Sequence, residues 1–367
     1  MDYFTAIKTA LILFPLISFL FTTFFLLQQY HKYGAINPFR VLIIYSFILY
    51  LITIYFLVIL PLPAKDAPIK PIQEMVRLIP FSFILDIINE TSFVLTDPST
   101  YLKALTDPCI YTVLFNILMM IPLGMYLRYY FKCKLSKTIM IGFFISLFFE
   151  LTQLTGLYFI YPSPYRVFDV DDLILNTLGT VLGYFIIGFF TRFLPTREEI
   201  DQASIEAGTK VSGLRRITLF CLDLVIFSFI TAICNLIISS YLFSFILFLL
   251  YYTVIPYFCH GKTIGSKFLN VRLEYQNSSL LNMFLRSLFL YFYYFGLPVC
   301  FLVVLLLFQQ FFTLSFLETA ALILGFSFIV IIFYLGNIIA ILKNKTIFYD
   351  YLFKVTYKST INERKKI

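Results

Sequence analysis

Two apolar runs carry side chains that could hold a proton or grip a cation. Glu150 and Gln153 close the first, Arg166 and Asp169 follow, and Asp171, Asp172 and Asn176 open the second. Ser146, Glu150 and Gln153 fall at i, i+4 and i+7 and share one helix face, as do Asp172, Asn176, Gly179 and Gly183. The glycines admit a neighbouring helix closely, which draws the carboxylates and amides toward one another. Asn116 adds an amide on an earlier run, where Pro122 and Gly124 predict a break in the helix ladder. Four acids face one nearby arginine, Arg166. The surplus negative charge suits a cation or an amine-bearing head group. Paired carboxylates can also perform acid–base chemistry. No nucleophile with an adjacent base is evident, so no catalytic residue is assigned. A structural alternative has Arg166 pairing one acid while the amides join helices.

A second polar set lies further along. Arg216 and Asp223 are seven residues apart, two helical turns, and share a face. An aspartate roughly 10 Å into an apolar helix asks for a partner, and a cationic neighbour is expected. Gly261-Lys262-Thr263-Ile264-Gly265-Ser266-Lys267 is glycine- and lysine-rich but lacks Walker spacing. It reads as a bend at the membrane surface leading into Val271–Tyr275. Arg286 and Asp350 follow, with Lys354 one turn beyond Asp350.

These residues must be held by membrane helices. The chain has 367 residues, 60% hydrophobic and 13% charged, with mean hydropathy +0.89; soluble domains carry about 25% charged residues. A charge at bilayer depth costs roughly 2.5–3.5 kcal/mol on insertion scales, so the polar clusters need a reason. The apolar runs are too long for barrel strands. The expected fold is all-α, a polytopic helical membrane protein with about nine spans: 9–30, 41–61, 110–129, 137–160, 172–192, 217–239, 241–258, 287–308 and 315–342. The first run has no basic n-region or small-residue cleavage site and is expected to be a true span.

Loop charges set the expected orientation. Arg128, Lys132, Lys134 and Lys137 make one basic loop; Lys262, Lys267, Arg272 and Arg286 surround another; Lys343, Lys345, Lys354, Lys358, Arg364, Lys365 and Lys366 load the tail. The positive-inside rule makes all three cytoplasmic. The segment 62–109, with Asp66, Glu74, Asp86, Glu90, Asp97 and Asp107, falls outside, as does 161–171. The N-terminus is then outside and the C-terminus cytoplasmic. Glu150 lies roughly 20 Å along its helix from Lys137, in the outer half of the membrane. Within 62–109, Val76–Leu78 and Ile79–Ile84 suggest short interfacial helices. The net charge of +8 sits in these loops and favours anionic lipid heads, not nucleic acid.

Six scattered cysteines (Cys109, Cys133, Cys221, Cys234, Cys259, Cys300) form no CxxC pair, and His31 and His260 lie in distant loops. No metal or cofactor is expected. The polar stretch 195–211 reads as a cytoplasmic linker. It separates a 1–39 N-terminal segment and a 40–194 membrane domain from a 212–358 membrane domain and a 359–367 basic tail.

Asn116-Ile117-Leu118 with Pro122-Leu123-Gly124, then Ser-x3-Glu-x2-Gln, then Arg-x-Phe-Asp-x-Asp-Asp-x3-Asn-x2-Gly, resembles the VanZ-like family over roughly 40–190. The positions carried over are Asn116, Pro122, Gly124, Glu150, Gln153, Arg166, Asp169, Asp172, Asn176 and Gly179. The insert Tyr158–Tyr165 departs from the family pattern. The resemblance implies a multi-pass protein of the bacterial plasma membrane, in a family whose founding member is associated with resistance to teicoplanin-type glycopeptides. The set Arg216, Asp223, Gly261, Gly265, Arg286 and Asp350 is similar to the RDD family over 212–358, with Arg215 an equal candidate for the arginine position. That resemblance implies transport, some RDD members being linked to ion exchange.

The expected function is non-enzymatic. An outer-leaflet pocket of Asn116, Glu150, Gln153, Arg166, Asp169, Asp172 and Asn176 would engage membrane lipids, a lipid-linked cell-wall precursor or a lipoglycopeptide. Two other readings are an ion or small-solute transporter using the arginine and aspartates of 212–358, and a lipid-modifying enzyme using Glu150 and Asp172. The second set could equally be an internal ion-pair lock.

Overall fold

With no water to bond its amides, an apolar stretch in a bilayer folds as a helix that satisfies its own backbone. The computed structural model describes residues 3–63, 71–92, 94, 96–104, 107–311 and 315–363. Asp66 and the tail residues Arg364, Lys365 and Lys366 lie outside these. The protein is 76% helical. Among the described residues nine helices are long and apolar enough to cross a membrane: Phe4–Tyr33, Pro38–Ile59, Pro108–Tyr129, Leu135–Leu154, Val170–Phe193, Gly213–Asn235, Tyr241–Phe258, Leu280–Phe311 and Leu317–Leu342. The expected all-α fold and span count are found. Their starts are chemically marked: the side chains of Asp107, Asp169 and Ser212 cap the third, fifth and sixth spans by accepting from Cys109, Asp171 and Arg215 backbone N–H groups.

Local expectations differ at five places. The fourth span ends at Leu154, not near 160. Beyond it Gly156, Leu157, Tyr158 and Phe159 all have positive φ, a left-handed turn that no α-helix can continue. The third span runs unbroken through Pro122; membrane helices tolerate the one missing N–H where neighbours compensate. Val76–Arg77 is a strand (β1) rather than part of an interfacial helix, paired in parallel with Phe168–Asp169 (β2), and the helix there is Ser82–Glu90. Arg286 is buried inside the eighth span rather than in a basic loop, because its charge is matched within the fold. His31 likewise belongs to the last turn of the first span.

The chain divides into two compact units. One comprises Met1–Phe21 and Pro38–Ile200, the other Thr22–Asn37 and Asp201–Ile367. The first has its core at Ile54, Met119, Met120, Leu123, Leu127 and Phe149. Its third and fifth spans touch backbone to backbone: a Cβ on Gly179 would run into the Ile117 carbonyl, and one on Gly183 into that of Ile121. The second packs Phe248, Tyr251, Tyr252, Leu290, Ile347 and Tyr349. It also holds an antiparallel ribbon, Val271–Tyr275 (β3) with Val355–Ser359 (β4), in register Leu273↔Tyr357. This ribbon was not expected from the bend at 261–275. Polar Arg197–Gly208 is helical.

Candidate functional site

The glycine contact between third and fifth spans sets the first polar cluster. With the helices that close, Asn116 Nδ2 donates to Asp172 Oδ1 at 2.5 Å. The fourth span closes the other side: Asn176 Nδ2 donates to Ser146 Oγ at 2.9 Å, and Ser146 Oγ to the Asp172 carbonyl at 3.3 Å. Glu150 Oε2 accepts the Asp169 backbone N–H at 3.1 Å. Gln153 Nε2 donates to the Val58 carbonyl and Arg166 Nη2 to the Leu60 carbonyl, each at 2.8 Å. Six of the seven expected residues (Asn116, Glu150, Gln153, Arg166, Asp172 and Asn176) line one cavity of about 340 Å³. The seventh, Asp169, lines an adjoining cavity of about 260 Å³ with Arg77, Asp86 and Asp171. Asn116 and Asp172 line both.

Arg166 is not the only cation here. Arg77 Nη2 meets Asp86 at 2.7 Å, and Arg77 Nη1 stands 3.8 Å from Asp169 Oδ2. The β1–β2 pairing sets Arg77 directly beside Asp169. Burial pushes the Asp169 carboxyl above the usual carboxylate range; the Asp171 N–H opposes this, the Asp171 charge adds to it, and Arg77 partly offsets it. Asp171 does a different job. Its Oδ1 accepts from Phe81 N at 2.5 Å and its Oδ2 from Ser82 Oγ at 2.8 Å and Phe83 N at 3.0 Å. It thereby fixes the first turn of Ser82–Glu90, whose own preceding residue, Phe81, is left-handed and offers no cap.

In the second unit the expected pairing of Arg216 with Asp223 is not made. Asp223 accepts from Tyr251 Oη and Thr263 Oγ1, each at 2.6 Å, and from Gly265 N at 2.9 Å, all neutral donors. The Gly261–Lys267 loop thus wraps a carboxylate of its own unit. Gly265 is needed there, since a Cβ would crowd Asp223 Oδ1. Gly261 sits at φ 81° and turns the chain into β3. Arg286 Nε and Nη2 grip Asp350 Oδ1 at 3.0 and 2.7 Å, Tyr357 Oη donates to Oδ2 at 2.8 Å, and Arg216 Nη2 lies 3.7 Å from Oδ2. Asp350 is wholly buried. Arg215, also fully buried, spends its guanidinium on the carbonyls of Gly208, Leu269 and Asn270.

The sequence reading missed Arg77, the capping role of Asp171, and the tyrosines 251 and 357. Arg77 left a signal as the only arginine of the acid-rich segment 62–109. The tyrosines left none, being 2 of 27. Among the described residues no group of three His, Cys, Asp or Glu side chains could hold a metal ion.

Nine apolar spans enclosing buried charge define a multi-pass helical membrane protein. A family model described as VanZ/LLP1 matches residues 47–191; this segment is similar to that family, and all seven residues of the first cluster fall within it. The match ends before the sixth span and lends nothing to the RDD-like resemblance of 212–358. No curated protein and no solved structure matches the chain.

Proposed function

We propose that the VanZ-like unit engages an amine-bearing amphiphile, a lipid-linked head group or a teicoplanin-type glycopeptide, in its acidic cavity, and so lowers susceptibility to such antibiotics without catalysis. The observation that carries this is the pair Glu150 and Asp172. Glu150 is buried and Asp172 half-buried, both line the 340 Å³ cavity, and neither forms a salt bridge among the described residues. A cationic ligand would supply the missing charge. The basic loops support a plasma-membrane orientation with the N-terminus outside, the C-terminus cytoplasmic and the cavity in the outer leaflet.

The test compares deletion and Glu150→Ala strains for susceptibility to teicoplanin-type and unrelated antibiotics, at matched membrane abundance. Selective loss of teicoplanin tolerance in both is expected. Unchanged tolerance in both would remove the reading.

A second reading, an RDD-like ion transporter in 212–358, rests on Asp223. Its partners are all neutral, so it can gain or lose a proton without breaking an ion pair. Sodium- or pH-dependent flux in vesicles, abolished by Asp223→Asn, is its expected signature; flux that survives the substitution refutes it.

A further inference from the structure

The second unit contains a partly open cavity of about 50 Å³ beside the Asp350 ion pairs. One water needs roughly 10–15 Å³ of such space, so the chamber admits something larger. Three buried polar atoms of its lining have no hydrogen-bond partner: Arg216 Nε, Tyr252 Oη and Tyr275 Oη. Arg216 is only 9% exposed and Tyr252 only 5%. Unpaired buried donors are costly, and native folds avoid them unless something binds there.

The lining chemistry selects the ligand. Arg216 Nε can only donate, and each phenol has a proton to give. The charged lining is Arg216, Arg286 and Asp223, with Asp350 paired to both arginines behind it, so the charges balance and the groups left unpartnered decide the ligand. The acceptors are already used: Asp223 by Tyr251, Thr263 and Gly265, and Asp350 by Arg286 and Tyr357. A metal cation would meet guanidinium and find no free carboxylate oxygen. We propose that this chamber binds one small anion of halide size, held by Arg216 Nε–H and the Tyr252 and Tyr275 hydroxyls. The proposal concerns the second unit alone and does not rest on the function proposed for the first.

The experiment uses the full chain in lipid nanodiscs. Radioactive chloride should bind saturably, at about one equivalent, and choline chloride should raise the thermal midpoint where sodium gluconate does not. The double variant Tyr252→Phe/Tyr275→Phe keeps both rings and should weaken chloride binding by tenfold or more, each lost charge-assisted bond being worth about a decade. Bromide should give density in the chamber of the wild-type protein. Absence of saturable chloride binding, or equal protection by sodium gluconate, overturns the proposal. So does water alone in the bromide map. Should the double variant fail to fold, the wild-type salt comparison and the bromide map decide.

Discussion

Arg286 and Asp350 stand 64 residues apart in sequence and are joined by two hydrogen bonds to one carboxylate oxygen, at 3.0 and 2.7 Å, with both side chains buried. Breaking one side of such a pair strands a buried charge, whereas removing both need not. Arg286→Met is expected to destabilise the protein by about 3–5 kcal/mol. The double variant Arg286→Met/Asp350→Leu should recover part of that loss, the remainder being the buried Arg216 that also loses Asp350. Thermal unfolding of the purified variants provides the cycle; additive losses would show that the two residues are not energetically coupled.

The third and fifth spans offer a steric prediction. Gly179→Ala and Gly183→Ala drive a methyl into the Ile117 and Ile121 carbonyls and should cost about 1–3 kcal/mol each. Gly325 and Gly336 have no neighbour within 4 Å, so alanine there should be neutral. Membrane abundance and thermal midpoints of the four variants separate the two classes.

Asp171 holds the start of Ser82–Glu90 through three hydrogen bonds. Asp171→Ala should therefore cost about 1–2 kcal/mol locally, in the range of a lost cap. Hydrogen exchange should rise in Ser82–Asp86 while the third and fifth spans stay protected. Equal exchange throughout would mean that other contacts anchor this helix.

How much of this was legible follows from range. The nine spans are local patterns in apolar runs, and their number emerges as read; the Glu150–Gln153 and Asp172–Asn176 stretches, equally local, line one cavity. Arg77 reaches Asp169 only through a two-residue strand pairing across 92 residues, register Arg77↔Asp169, which no periodicity announces. The missed partner of Asp223 has another cause. Helical spacing placed Arg216 on its face, but tertiary packing supplied Tyr251 and Thr263 from other segments and sent Arg216 toward Asp350. Asp171 was recognised as an acid, but its hydrogen-bond partners lie about ninety residues upstream.

Asp169 predicts a pH dependence. Its folded carboxyl titrates above the usual range, so the folded state holds this proton to higher pH than the unfolded chain does. Its contribution to stability is complete below the unfolded pKa and is lost as pH rises through the raised folded one. Thermal midpoints should fall across that window in the wild type and fall less in Asp169→Asn. Parallel curves would assign the slope to other groups.

The division of the first helix between the units bears on how the gene can be cut. Thr22–Asn37 belongs with Asp201–Ile367, although the other unit lies between them in the sequence. One break near Ile200 therefore yields no self-sufficient carboxyl-terminal half. That half would lack Tyr30 and His31, whose carbonyls accept from Asn270 Nδ2 at 3.4 and 2.7 Å. Splitting the protein cleanly would require circular rearrangement or grafting of 22–37, so the two parts are more interdependent in inheritance than two beads on a string.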